Sequence, residues 1–183
     1  MLPPRGDYTA GMRLFWAIGI SDGVRESARA VQQQLRDPAL RWSRLENLHV
    51  TLKFLGETEL AVEGLLAAAR PACAEVGPLE LSVGEVGSFG RPPRVVWLGL
   101  EGPGRSRLCL LAAALDEACH RLGFPRETRA FAPHLTLARV RRGQRIRRPQ
   151  GVEVPPARFT ADAIGLWQSR PGQGYRELAR VTL

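Results

Sequence analysis

Between Leu48 and Phe54 the chain alternates, with Leu48, Val50, Leu52 and Phe54 apolar and His49, Thr51 and Lys53 polar. A period of two predicts a strand with one buried face. The pattern returns 85 residues later, where Leu135 and Leu137 alternate with His134 and Thr136. "RLFWAIGI" (13–20) reads as a buried strand, and Val24, Ala28, Val31 and Leu35 then recur at helical spacing until Asp37-Pro38 ends the helix. Thr58 is placed to cap a second helix running to about Arg70, where Pro71 should end or kink it. "LELSVGEVGSF" (79–89) and "RVVWLGL" (94–100) predict two strands joined by the turn-rich "GRPP". Leu108, Leu111, Leu115, Ala118 and Leu122 define a long helix with Gly123 as its end. "RFTADAIGLW" and "YRELARVTL" read as two closing strands.

This order repeats. Strand, helix and histidine strand occur at 13–20, 22–36 and 48–54, and again at 94–100, 105–122 and 134–140. From strand start to histidine is 36 residues in one copy and 40 in the other. "VGSFGRPPRVVWL" also echoes "IGLWQSRPGQGYREL". Similarity at such a period marks a duplicated unit. The expected organisation is one domain over 12–183, of two lobes sharing a core, preceded by a loose extension over 1–11.

Composition narrows the class. An apolar fraction of 44% and a charged fraction of 24% are ordinary for a globular chain. The longest apolar run, Leu108 to Leu115, has eight residues, against the roughly 18 to 20 needed to span a bilayer. Neither a membrane segment nor a signal peptide is expected. Cys73, Cys109 and Cys119 are odd in number and lack metal spacing, which fits a reducing cytoplasm. Net charge is +8, with Lys53 the one lysine beside 25 arginines. Six of those arginines fall in the ten residues "RVRRGQRIRR" (139–148), with no acid among them. A solvated loop would account for the run, but clustered guanidinium groups also suit phosphate, so Arg141 and Arg142 are candidate contacts to a polyanion. His120 reads as a favourable charge near a helix terminus.

The paired H-x-T motifs carry the chemistry. In each, histidine and threonine share one face of a strand. Two related lobes facing each other would bring His49, Thr51, His134 and Thr136 into one cleft. One imidazole can remove a proton from an attacking oxygen while the other delivers one to a leaving oxygen. Threonine hydroxyls on the same face can donate to non-bridging phosphate oxygens as charge grows there. A single H-x-T is weak, but two copies on matching strands of a duplicated unit are not. Two histidines can ligate zinc, but catalytic zinc usually has three protein ligands, and no His or Cys triplet is near either motif. No metal or other cofactor is expected.

"RWSRLENLHVTLKFLGE" and "FAPHLTLARV", with "MRLFWAIGI" and "PPRVVWLGL", resemble the bacterial and archaeal RNA 2',3'-cyclic phosphodiesterases, also called 2'-5' RNA ligases, of the two-histidine phosphoesterase superfamily. The resemblance spans nearly all of 12–183; the first eleven residues have no counterpart. It implies an α+β fold of two pseudo-symmetric lobes, with mainly antiparallel sheets lining a central groove and helices outside. It implies metal-independent opening of a terminal 2',3'-cyclic phosphate on RNA to leave a 2'-phosphate, with His49 as proton donor to the 3' oxygen and His134 as proton acceptor from water. A 5'-hydroxyl in place of water would create a 2'-5' linkage. The same resemblance makes Thr51 and Thr136 phosphate contacts. It points to Phe54 and Arg139, each five residues past its histidine, as contacts to the terminal nucleotide and phosphate. Strict alternation puts an odd offset on the core face. That suits Phe54, whereas Arg139 must follow a bulge or end its strand to reach the cleft.

Two rival readings stand beside this one. The site could act on a small cyclic-phosphate nucleotide or a 2'-5' oligonucleotide, or the chain could bind RNA without turnover. RNA with a 2',3'-cyclic phosphate end is the expected partner, and the chain is expected to be a monomer with no obligate protein partner.

Overall fold

The computed structural model describes residues 12–183; the extension read over 1–11 lies outside them. Nine strands form two antiparallel sheets. One has the order β3-β1-β8-β9, built from β1 (Met12–Ile18), β3 (Val50–Thr58), β8 (Ala163–Arg170) and β9 (Gly174–Thr182). The other has the order β2-β6-β5-β4-β7, built from β2 (Leu40–Trp42), β4 (Leu79–Phe89), β5 (Val95–Glu101), β6 (His134–Val140) and β7 (Arg158–Ala161). Three helices, α1 (Asp22–Gln34), α2 (Val62–Cys73) and α3 (Arg105–Arg121), join them. This is the α+β architecture with a groove between two antiparallel sheets.

The repeat seen in the sequence is the frame of the fold. β1 pairs with β3 through α1, and β5 pairs with β6 through α3, so each histidine strand lies antiparallel to the strand that opens its unit. The two units share one apolar core, in which Leu14, Trp16, Ile18, Leu65, Leu98, Leu108, Leu115 and Leu137 are all buried. α1 reaches the second sheet, where Gln32 Nε2 donates to the Leu137 carbonyl at 3.3 Å. α3 packs against both β3 and β4. The long segment after β6 is held to α1 by reciprocal bonds between Gln34 and Glu153 and by Ser27 Oγ donating to the Pro155 carbonyl at 2.6 Å.

Three local readings are corrected, and one short strand is added. Thr58 belongs to β3 and its hydroxyl accepts from the Leu60 amide; α2 begins after Ala61 with no side-chain cap. Pro71 lies inside α2, which continues to Cys73. The proline ring is exposed, and only two helical residues follow it before the helix ends. "RFTADAIGLW" is two strands: β7 pairs with β4 in one sheet, β8 pairs with β1 in the other, and the chain crosses between sheets at exposed Asp162. β2, three residues long, was too short to show a period.

Candidate active site

His49 and His134 occupy equivalent places. His49 immediately precedes β3 and His134 opens β6, and each ring turns its Nδ1 back on its own backbone two residues earlier. Nδ1 of His49 lies 2.8 Å from the Asn47 carbonyl, and that of His134 lies 2.7 Å from the Ala132 carbonyl. A carbonyl only accepts, so Nδ1 carries the proton in both rings. In the neutral form Nε2 is therefore bare. The Nε2 of His49 lies 2.9 Å from Thr51 Oγ1, so the neutral ring accepts from that hydroxyl and the charged ring donates to it.

Aromatic side chains fix the ring planes. Phe15 lies 4.8 Å from the His49 ring, and Tyr175 meets it edge-on at 5.0 Å. Phe89 meets His134 edge-on at 4.9 Å and is itself 5.3 Å from Trp97. Glycine makes room for two indoles. A Cβ at Gly87 would overlap the Trp97 ring, and one at Gly165 would overlap that of Trp167. Sequence reasoning missed these aromatics; the echo of "VGSF" with "IGLW" was their only trace.

Both imidazoles titrate below the ordinary 6.5. For His49 burial is the main cause; the Asn47 carbonyl opposes it, and the charge of His134 adds to it. For His134 burial again leads, opposed by the Ala132 carbonyl and helped by the guanidinium of Arg139. The charge of His134 thus reaches His49.

Two bulges decide which side chains join them. In β3, Thr51 faces Ala17 and Lys53 faces Trp16, which leaves Leu52 as an extra residue. In β6, Thr136 faces Trp97 and Ala138 faces Val96, which leaves Leu137 as the extra one. Each bulge falls three residues after its histidine and reverses the alternation beyond it. Position five then returns to the groove face in both strands. Arg139 is exposed there, and so is Phe54, at 55%. This corrects the core assignment of Phe54. It also corrects Lys53, which leaves the polar face of the strand and is 2% exposed on the opposite side.

Arg141 lies past the end of β6, with Nε donating to the Pro38 carbonyl at 3.1 Å. Arg142 is exposed in the loop beyond it. A cleft of about 200 Å³ opens beside His134, walled by Phe89, Trp97, Glu85 and Glu101. A larger hollow of about 480 Å³ lies against β4 and β7 and includes neither histidine. Among the described residues no group of three His, Cys, Asp or Glu is placed to hold a metal ion, and no helix is long and apolar enough to cross a membrane.

Residues 20–173 match the 2'-5' RNA ligase superfamily. The chain belongs to that superfamily. An RNA 2',3'-cyclic phosphodiesterase from Archaeoglobus fulgidus is 38% identical over 136 residues, covering 72% of this chain and 74% of the relative. One from Escherichia coli K12 is 34% identical over 148 residues, covering 80% and 78%. Among solved structures of the superfamily, E. coli LigT complexed with 3'-AMP superposes with a TM-score of 0.74 at 30% identity, covering 94% of this chain and 98% of that one.

Proposed function

We propose that this protein hydrolyses RNA 2',3'-cyclic phosphate ends to 2'-phosphates by a histidine acid-base pair. The observation that carries the reading is the mirrored Nδ1–H···O=C anchoring of His49 and His134. It leaves the two Nε2 atoms for proton transfer, that of His49 beside Thr51. Relatives named RNA 2',3'-cyclic phosphodiesterase at 33–38% identity support the substrate class.

In this mechanism water attacks phosphorus while His134, neutral at Nε2, takes its proton. The bond from phosphorus to the 3' oxygen breaks, and that oxygen takes the Nε2 proton of charged His49. The products are a 2'-phosphate and a free 3'-hydroxyl. Thr51 and Thr136 donate to the non-bridging oxygens, where preorganised donors lower the barrier without reorganising. Arg139, further along β6, adds positive charge to the groove, and Phe54 offers a face for the terminal base. The bound anion itself favours the imidazolium that burial disfavours in the free protein. A 5'-hydroxyl taking the place of water would yield a 2'-5' linkage by the same two transfers. The working unit on this reading is the two-lobed chain over 12–183, acting as a monomer.

The test is a short RNA ending in a 2',3'-cyclic phosphate, incubated with excess chelator and analysed for the position of the remaining phosphate. A 2'-phosphate product supports the reading. A 3'-phosphate product, or activity that vanishes in chelator and returns with a divalent metal, overturns it.

A further inference from the structure

Arg41 was not among the candidate residues, yet it has the same neighbour and the same face as one that was. In β2 it stands directly opposite Arg139 of β6, which in turn stands opposite Val95 of β5. Directly opposed residues of an antiparallel pair project from the same face, at a strand spacing of about 4.8 Å. Since the Leu137 bulge turns Arg139 into the groove, Arg41 is turned there with it, and its neighbour Leu40 is buried on the other side. Both arginines are exposed, and among the described residues neither forms an ion pair. Like charges placed directly opposite destabilise a ladder. An anion bridging the two guanidinium groups removes that repulsion and gains the forked hydrogen bonds that arginine offers to phosphate.

The positive surface does not stop at this pair. The backbone of Arg141 donates to the Ala39 carbonyl at 2.8 Å, which ties the start of the basic loop to the residue just before β2. Arg142, Arg145, Arg147 and Arg148 lie exposed beyond. A mononucleotide brings one phosphate, for which Thr51 and Thr136 are already placed. The paired arginines, about 10 Å of strand beyond Thr136, match a chain of phosphates.

We propose that Arg41, paired with Arg139, binds the internucleotide phosphate next to the reacting end, so that the groove selects oligonucleotides over mononucleotides. This rests on the proposed function, and its test therefore reads binding, not turnover. Affinity is measured by calorimetry for a dinucleotide ending in a 2'-phosphate and for a nucleoside 2'-monophosphate, with wild type, R41Q and R41K, across a series of salt concentrations. The expected result is that R41Q loses about tenfold more affinity for the dinucleotide than for the mononucleotide. Its slope of log affinity against log salt for the dinucleotide should also fall by about 0.7, as for one lost contact on a single strand. R41K should keep most of the salt slope while losing part of the affinity. Equal losses on the two ligands, or a wild-type preference that R41Q leaves intact, overturn the assignment. Absence of turnover by the wild-type protein would instead overturn the proposed reaction and leave this result to stand on its own.

Discussion

Lys53 Nζ donates to Asp116 Oδ1 at 2.6 Å and to the Pro125 carbonyl at 2.5 Å, joining the strand of His49 to α3 and to the segment that leads into His134. The Glu127 carboxylate lies 3.6 Å away, and its own amide donates to Asp116. Burial opposes ionisation of Asp116, but the bonds from Lys53 and the Glu127 amide, with the charges of Lys53 and Arg126, hold its carboxyl below the ordinary 3.8. Lys53 is the one buried charge among the described residues and the one lysine in a chain of 25 arginines. A compact ammonium with three rotatable donors suits this enclosed cluster, where a planar fork does not. K53M should cost about 1 to 3 kcal/mol, because partly exposed Asp116 loses its nearest cation but keeps the bond from the Glu127 amide. Urea denaturation reads this directly, and a loss below about 1 kcal/mol would show that water or rearrangement replaces the lysine.

Phe54 separates the sequence reading from the structure. A core phenylalanine truncated to alanine costs about 3 to 5 kcal/mol, whereas an exposed one changes stability by about 0.5 or less. F54A should therefore unfold at nearly the wild-type denaturant concentration while raising KM for a cyclic nucleotide. A large stability loss would return Phe54 to the core.

The pH profile follows from the lowered histidine values. kcat/KM reports the free protein, in which one imidazole must be neutral and the other charged, so its bell should be centred below 6.5. kcat reports the complex, where the bound anion favours the charged ring, so its profile should lie at higher pH. A kcat/KM bell centred above 7 would contradict the burial of the two rings.

Stability should show the same groups with a definite sign. Their folded values lie under the unfolded 6.5, so below that pH the unfolded chain binds more protons and stability falls as pH drops. H134Q should flatten the decline between about pH 6.5 and the folded value, as seen in thermal melts across that range. An unchanged slope would mean that His134 titrates alike in both states.

Gly87 should be intolerant for a reason that lies across the strand pair. It faces Trp97, and an added methyl group displaces the indole that supports Phe89 behind His134. G87A should cost about 1 to 3 kcal/mol and lower kcat/KM more than G64A, whose position in α2 has open space around it. Equal activity in the two variants would show that Trp97 yields freely.

The parts of the molecule that repeat were the parts most open to reading. The apolar run Leu14 to Ile18, the helical spacing of Val24, Ala28 and Val31, and the alternation of the two H-x-T strands each recur in order. What escaped was the bulge in β3; in β6 the need for Arg139 to follow a bulge or a strand end was legible, but not which residue was extra. Alternation assigns faces only while the ladder is regular, and nothing in "TLKF" or "TLAR" marks Leu52 or Leu137 as the extra residue. One shift put Lys53 in the interior and Phe54 in the groove, the reverse of their polarity. Asp162 hid a change of sheet because its neighbours in "RFTADAIGLW" fit one continuous strand as well as two.

Two equal halves have no direction, but a strand of RNA does. The second position after each bulge is one where this molecule departs from its own symmetry, with Phe54 in one half and Arg139 in the other. A base would meet one end of the groove and a phosphate the other, so a substrate entering backwards finds each contact mismatched. On the proposed reading, the polarity of this groove would be set by two side chains on an otherwise reversible frame, and exchanging them by F54R with R139F would be a change of orientation before it is a change of affinity.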